Sequence, residues 1–271
     1  MYPYSIFANV NLYTVFLCLG ILGAVIIYRI FADKKKIYWK VQNLVIISTA
    51  TAIVGGYFSA VLFQALYNIE SRGAFIIDSK TGATFYGGIV GGAAVFLLVY
   101  FVLGRFYTKN GEHVKRFFDV ADIAAASITL AHGLGRLGCL MAGCCHGGRT
   151  DAWYGIHMLD PKTGQMVKFV PIQLYEAIFL FAMFAFFIFR LIKGKGYGLP
   201  LYMAIYGVWR FAIEYFRADH RGTTVVDFLS PSQFIAVLMV VGAIALYFGQ
   251  RFYITRKKGE NKSDEVVYAE E

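Results

Sequence analysis

The stretch VADIAAASITLAHGLGRLGCLMAGCCHGG, residues 120–148, decides the fold. Its apolar part, 120–142, is long enough to cross the hydrocarbon of a bilayer, which takes about 17–25 helical residues. Within it His132, Arg136 and Cys139 recur at i, i+4 and i+7, the spacing of one helical face. A charged side chain at the bilayer centre costs about 2.5–3.5 kcal/mol on insertion scales and normally faces a protein interior or a water-filled cavity. Glycine weakens a helix, and Gly133, Gly135, Gly138, Gly143, Gly147 and Gly148 crowd this stretch. The helix is therefore predicted to loosen or break near Gly143–Gly148. Broken backbone at membrane depth is tolerated only where it lines a cavity.

The same reading extends outward. The chain has 271 residues, 58% apolar, 17% aromatic and 16% charged, with a mean hydropathy of +0.56. A soluble domain is about 25% charged and 45–50% apolar. That excludes an ordinary soluble globule, a disordered chain and a disulfide-stapled miniprotein. An all-α polytopic membrane protein remains. Seven apolar segments are predicted to span, at 11–31, 44–66, 87–104, 120–142, 172–192, 198–216 and 231–249. The net charge of +9 would suggest nucleic acid in a soluble protein. Here Lys and Arg concentrate in 29–40, 105–116, 190–195 and 251–262, on alternate sides of successive segments. The positive-inside rule then places the N-terminus outside and the C-terminus in the cytoplasm, with no nucleic-acid partner. The basic cluster follows segment one instead of preceding it, so that segment does not read as a cleaved signal. One transmembrane domain is expected over 1–258, with small outer caps at 67–86 and 143–171 and a flexible cytoplasmic tail at 259–271.

A second charged stripe lies in segment six, where Tyr206, Arg210, Glu214 and Arg217 fall at i, i+4, i+8 and i+11. Glu214 can pair with Arg210 or Arg217 in its own helix, or reach Arg136. These pairs either only hold helices together or form a cationic pocket. Arginine forks suit phosphate oxygens, and in a membrane the available phosphate belongs to a phospholipid head group. Glu176, in PIQLYEA after Pro171 and three residues from Gln173, fits a helix start as well as a site role. Tyr13, Tyr86 and Tyr175 fall near segment ends, where interfacial tyrosines are common. The glycine cluster Gly87, Gly88, Gly91 and Gly92 permits close helix packing or close approach to a ligand.

Four cysteines are present. Cys18 reads as a small apolar packing residue. Cys139, Cys144 and Cys145 form C-x4-C-C-H, which is not a zinc-finger spacing. Three readings stay open: structural thiols, a catalytic or acyl-carrying thiol, or a redox pair or metal site. His146 and Arg136 nearby would favour a thiolate.

At these residues the chain resembles the prolipoprotein diacylglyceryl transferases. FYGGIVGG (85–92) resembles F-H-G-G-L. GRLGCLMAGCCHG (135–147) resembles G-R-x-G-N-F-x-N-x-E-x-x-G. PIQLYE (171–176) is similar to H-P-x-Q-L-Y-E, and YGVWRFAIEYFRADH (206–220) to Y-G-x-x-R-F-x-x-E-F-x-R-x-x-D. Tyr13 stands where the family has a tyrosine in its first segment. The ordered blocks cover nearly the whole chain.

The resemblance implies a bacterial inner-membrane enzyme. It would move a diacylglyceryl group from phosphatidylglycerol, or a similar anionic phospholipid, to the lipobox thiol of a secreted preprotein or to another acceptor. Arg136, Arg210 and Glu214 would form the head-group and catalytic stripe. Tyr13, Gly87, Gly88, His132, Gly147, Tyr206 and Arg217 would bind substrate. No metal or other cofactor is implied, because two arginines can stabilise the leaving phosphate. Departures from the pattern fall on residues that bear on the chemistry: the family histidine is Tyr86, its signature asparagine Cys139 and its glutamate Cys144. The catalytic set expected for this chain therefore includes Tyr86, Cys139 and Cys144. The competing reading is a membrane thiol protein handling redox equivalents or a soft metal on the same scaffold.

Overall fold

A computed structural model describes residues 5–7, 10–78, 80–160, 163–217 and 228–269. The elements run in the order β1 (Ser5–Phe7), β2 (Val10–Asn11), α1 (Leu12–Lys34), α2 (Trp39–Tyr67), α3 (Ile69–Arg72), α4 (Phe85–Tyr107) and α5 (Glu112–Ala142). There follow β3 (Ile156–Leu159), β4 (Met166–Phe169), α6 (Ile172–Ile192), α7 (Gly198–Ile213), a 3-10 turn at Glu214–Phe216, and α8 (Pro231–Ala269). The chain is an all-α integral membrane protein. All seven expected segments are helices, and α1, α2, α4, α5, α6 and α8 are long and apolar enough to cross a membrane. The seventh, α7, has 16 residues, about 24 Å of helix, and continues only through the 3-10 turn. Large apolar side chains such as Val54, Phe58, Leu98, Phe106, Phe248 and Phe252 are exposed, while Thr129, Gln173 and Glu176 have no exposed surface. This arrangement reverses that of a soluble core and suits a lipid solvent.

The chain groups into two compact units, residues 32–120 and residues 1–31 with 121–271. In the first, α2 packs along α4 through glycine. A Cβ on Gly56 would lie 2.9 Å from the Gly88 carbonyl oxygen, and one on Gly87 would lie 2.7 Å from Phe63 Cβ. Small residues let two membrane helices approach backbone to backbone. The GGIVGG run thus serves the α2–α4 contact. The loop after α3 is tied by Arg72 to Asp78 at 3.1 Å and by Thr84 to Gln64.

In the second unit, α5 ends at Ala142, and Gly143 takes φ +70°, a left-handed turn that glycine adopts without steric cost. The predicted break is therefore present. The stretch 143–171 contains a hairpin: β3 and β4 pair antiparallel, with Ile156 opposite Phe169 and Leu159 opposite Met166. Met158 and Phe169 pack on Leu140 of α5, and Arg149 pairs with Asp160. Charged and polar residues mask this short amphipathic hairpin in a sequence otherwise dominated by helical runs. Further back along α5, the Gly198 amide donates to Asp122 Oδ1 at 2.6 Å, anchoring the start of α7. Cys18 is exposed on α1, not packed inside as expected, because its face of the helix carries exposed Leu17, Leu19 and Leu22. Helix α8 continues to Ala269, through most of the segment set apart as a tail. Residues 270–271 lie outside the described residues.

Candidate active site

The charged stripes converge in the second unit. Helix α5 presents Arg136, α6 presents Glu176, and α7 with its 3-10 turn presents Arg210, Glu214 and Arg217. Glu176 is fully buried at the centre. Its Oε2 lies 3.2 Å from Arg136 Nε and 3.9 Å from Arg217 Nη1, and its Oε1 lies 3.8 Å from Arg210 Nη1. Glu214 meets Arg210 Nη2 at 2.8 Å and Arg217 Nε at 3.8 Å. The pairing of Glu214 within its own segment follows the predicted stripe, but the carboxylate that meets Arg136 is Glu176. Helix α7 tightens into the 3-10 turn at Glu214. With three residues per turn, Glu214 and Arg217 come onto one face.

The N-terminal turn of α8 completes the cluster. Arg210 Nη2 donates to Ser232 Oγ at 2.8 Å, and Ser230 Oγ donates to Glu214 Oε1 at 3.0 Å. Several contacts are charge pairs without hydrogen-bond alignment. Arg136 Nε and Arg210 Nη1 are buried and have no hydrogen-bond partner. Among the described residues the cluster holds three guanidiniums and two carboxylates. A buried charge is costly without a counter-ion, and forked donors suit a phosphate.

Tyr206 links this cluster to His132. Its hydroxyl donates to Glu176 Oε1 at 3.2 Å and lies 3.4 Å from His132 Nε2. Gly147 pairs across to Arg217 as an isolated bridge, and its amide donates to the Val170 carbonyl at 2.9 Å. A Cβ here would stand 2.8 Å from both the Phe216 carbonyl oxygen and Ile172 Cδ1. The absence of a side chain at 147 thus lets the chain pass beside the residue that precedes Arg217.

The sulfurs of Cys139, Cys144 and Cys145 all lie within 4.8 Å of one another, and no disulfide links them. Two left-handed residues, Gly143 and Cys145 (φ +63°), fold the chain back on the end of α5. The Cys144 amide donates to the Cys139 carbonyl at 3.1 Å. Gln173 Nε2 donates to the Cys144 carbonyl at 2.5 Å, fixing the turn to α6. The Arg217 guanidinium lies near enough to Cys145 for its positive charge to act on the sulfur. His146 is engaged elsewhere: its Nδ1 is 2.9 Å from the Gly147 carbonyl oxygen, and its ring lies on Phe169 at 3.8 Å.

Of the predicted site residues, the second unit brings together Arg136, Arg210, Glu214, Arg217, Tyr206, His132, Gly147 and the two cysteines Cys139 and Cys144. Tyr13 is part-exposed and packs at Gly138. Tyr86, Gly87 and Gly88 belong to the other unit, at the start of α4. Sequence reasoning left Glu176, with Gln173 beside it, open between a helix start and a site role, and did not single out Ser230 or Ser232. The available signal was the pair Gln173 and Glu176, two polar residues one turn apart at the mouth of an apolar segment.

Fold and site together define a polytopic membrane protein with a buried arginine–glutamate centre. The chain belongs to the prolipoprotein diacylglyceryl transferase family, whose pattern matches residues 4–249. It is 33% identical to the phosphatidylglycerol–prolipoprotein diacylglyceryl transferase of Clostridium tetani, over 89% of this chain and 93% of that one. It is 32% identical to phosphatidylglycerol–prolipoprotein diacylglyceryl transferase 2 of Clostridium perfringens, over 83% of each chain. A Vibrio vulnificus relative of the same name is 30% identical, over 88% of this chain and 86% of its own.

Proposed function

We propose that this protein transfers a diacylglyceryl group from phosphatidylglycerol to the cysteine thiol of a prolipoprotein. It would do so in a bacterial cytoplasmic membrane, with its N-terminus outside. The observation that carries this reading is the pair Arg136 Nε and Arg210 Nη1, two buried charged donors beside Glu176 that make no hydrogen bond. A phosphodiester head group would offer them anionic oxygen acceptors. Arg136 Nε and Arg210 Nη1, which lack hydrogen-bond partners, would turn toward the phosphate oxygens. As the glyceryl carbon–oxygen bond breaks, charge grows on the departing glycerol phosphate, and guanidiniums already in place stabilise it without reorganisation. Glu176 and Glu214 hold the guanidiniums apart and oriented, Tyr206 orients Glu176, and Ser232 secures Arg210.

The test is a transfer assay in liposomes containing labelled phosphatidylglycerol and a lipobox peptide. Release of glycerol phosphate is followed together with peptide mass. The wild-type protein is expected to add one diacylglyceryl unit to the peptide. Arg210→Ala is expected to lower turnover by about 10²–10³-fold, the usual scale for removing a charge-stabilising donor. Full turnover by both Arg136→Ala and Arg210→Ala would overturn the assigned roles.

A further inference from the structure

The transferase reading leaves one chemical need unmet: an acceptor thiol reacts as the thiolate. Tyr86 stands where the family pattern has a histidine, and the two carboxylates of the cluster are both engaged by arginines. Beside that cluster stand three sulfurs, two of them at the positions of the family's asparagine and glutamate.

Their arrangement suits a metal. Cys139, Cys144 and Cys145 each offer one Sγ, and all lie within 4.8 Å of one another. A Zn–S distance of about 2.3 Å in a tetrahedral site puts ligand sulfurs about 3.8 Å apart, so a closure of roughly an ångström completes the set. The supports are in place. The Gly143–Cys145 turn folds two thiols back toward the third, Gln173 holds the Cys144 carbonyl, and Arg217 lies against Cys145 as a positive neighbour for thiolate charge. Outer-shell contacts of this kind orient metal ligands. Cys144 is exposed, leaving an approach for a further ligand. Three protein ligands with a fourth position open is the pattern of a catalytic zinc site.

We propose that Cys139, Cys144 and Cys145 bind one Zn(II)-class cation whose open position takes the acceptor cysteine thiol. The second half of this proposal rests on the transferase reading. A thiol that coordinates such an ion is deprotonated outright. The acceptor S–H gives its proton to solvent on coordination. The bound thiolate then attacks the glyceryl carbon that carries the phosphate ester. The sulfur–carbon bond forms as the carbon–oxygen bond breaks, and the electron pair leaves with glycerol phosphate. The thioether product is neutral and a weaker ligand than the thiolate, so it departs. The metal keeps its oxidation state throughout, and no oxidant or reductant is needed.

The experiment uses the full-length protein, reduced and reconstituted in lipid nanodiscs. Zn(II) binding is measured by equilibrium dialysis, and Co(II) serves as a spectroscopic probe. The expected result is one equivalent of Zn(II), lost in Cys144→Ser and in Cys139→Ser, with a sulfur-to-cobalt charge-transfer band in the wild type. A lipobox peptide should change the cobalt spectrum, and its Cys→Ser version should not. Thermal unfolding of Cys144→Ser, whose side chain is exposed, separates loss of ligation from misfolding. Absence of stoichiometric metal in the reduced protein, or equal binding by both serine variants, overturns the site. Binding with an unchanged spectrum on adding the peptide overturns the acceptor position. A peptide-sensitive spectrum without diacylglyceryl transfer would leave the metal site standing while the transferase reading fails.

Discussion

Glu176 on α6 places its Oε2 3.2 Å from Arg136 Nε on α5, in charge contact but without hydrogen-bond alignment. Helices separated by the turn and hairpin of residues 143–171 are thus joined through a carboxylate with no exposed surface. Removing it would leave the buried Arg136 guanidinium without this carboxylate. Glu176→Ala is therefore expected to cost about 3–5 kcal/mol of stability, the scale for breaking a buried pair. Arg136→Ala in the same background should return part of it. A double-mutant cycle read by unfolding in micelles checks this. Strict additivity of the two costs would show that the pair is not coupled.

Gly147→Ala is expected to be more damaging than a one-methyl change on a surface. The new Cβ would meet the Phe216 carbonyl oxygen and Ile172 Cδ1 at 2.8 Å. Overpacking of this kind typically costs about 1–3 kcal/mol. Because Gly147 bridges to Arg217, the strain should reach the charged cluster. Turnover per folded molecule should fall along with the melting temperature, and a stability loss with normal turnover would uncouple the two.

Tyr206→Phe removes one hydroxyl and leaves the ring. That hydroxyl donates to Glu176 at 3.2 Å and lies 3.4 Å from His132. A hydrogen bond to a charged group contributes about 1.5–3 kcal/mol, which caps the loss in turnover at roughly 10–100-fold. Steady-state rates in liposomes would reveal it. An unaltered rate would mean that Tyr206 does not orient Glu176 during the reaction.

Outside the spanning helices, the Arg72–Asp78 loop should be acid-sensitive. The Arg72 side-chain hydrogen bond, helped by Thr81, holds the Asp78 carboxyl below its usual value. A group with a lowered folded pKa adds stability that is complete above its unfolded pKa and is lost as pH falls through the folded one. The Lys80 amide, which donates to Asp78 Oδ1 at 2.9 Å, should therefore stay protected from hydrogen exchange at neutral pH. Protection should decline only below the ordinary aspartate range. In Arg72→Ala the decline should begin at higher pH; the same midpoint in both proteins would remove Arg72 as the cause.

Much was legible in the amino-acid order because it depends on short-range periodicity and on solvent preference. Hydropathy located all seven helices within a few residues at most ends, and the spacing of Arg210, Glu214 and Arg217 put them on one face. Glycine density located the end of α5 at Ala142, since backbone freedom is a local property. Other features depended on which distant segments meet. Glu176 looks from its neighbours like a helix start, and only the packing of α5, α6 and α7 makes it the centre of three arginines. The spacing C-x4-C-C resembles no metal motif, yet left-handed backbone at Gly143 and Cys145 folds three sulfurs into one cluster. Gly87 and Gly88 could have faced a ligand, and close contact with α2 decided their use. Periodicity is carried by neighbours along the chain, so the sequence by itself determined the helices and their charged faces. Only the tertiary structure could decide which faces meet and which side chains lose water together, because that depends on residues far apart in the chain.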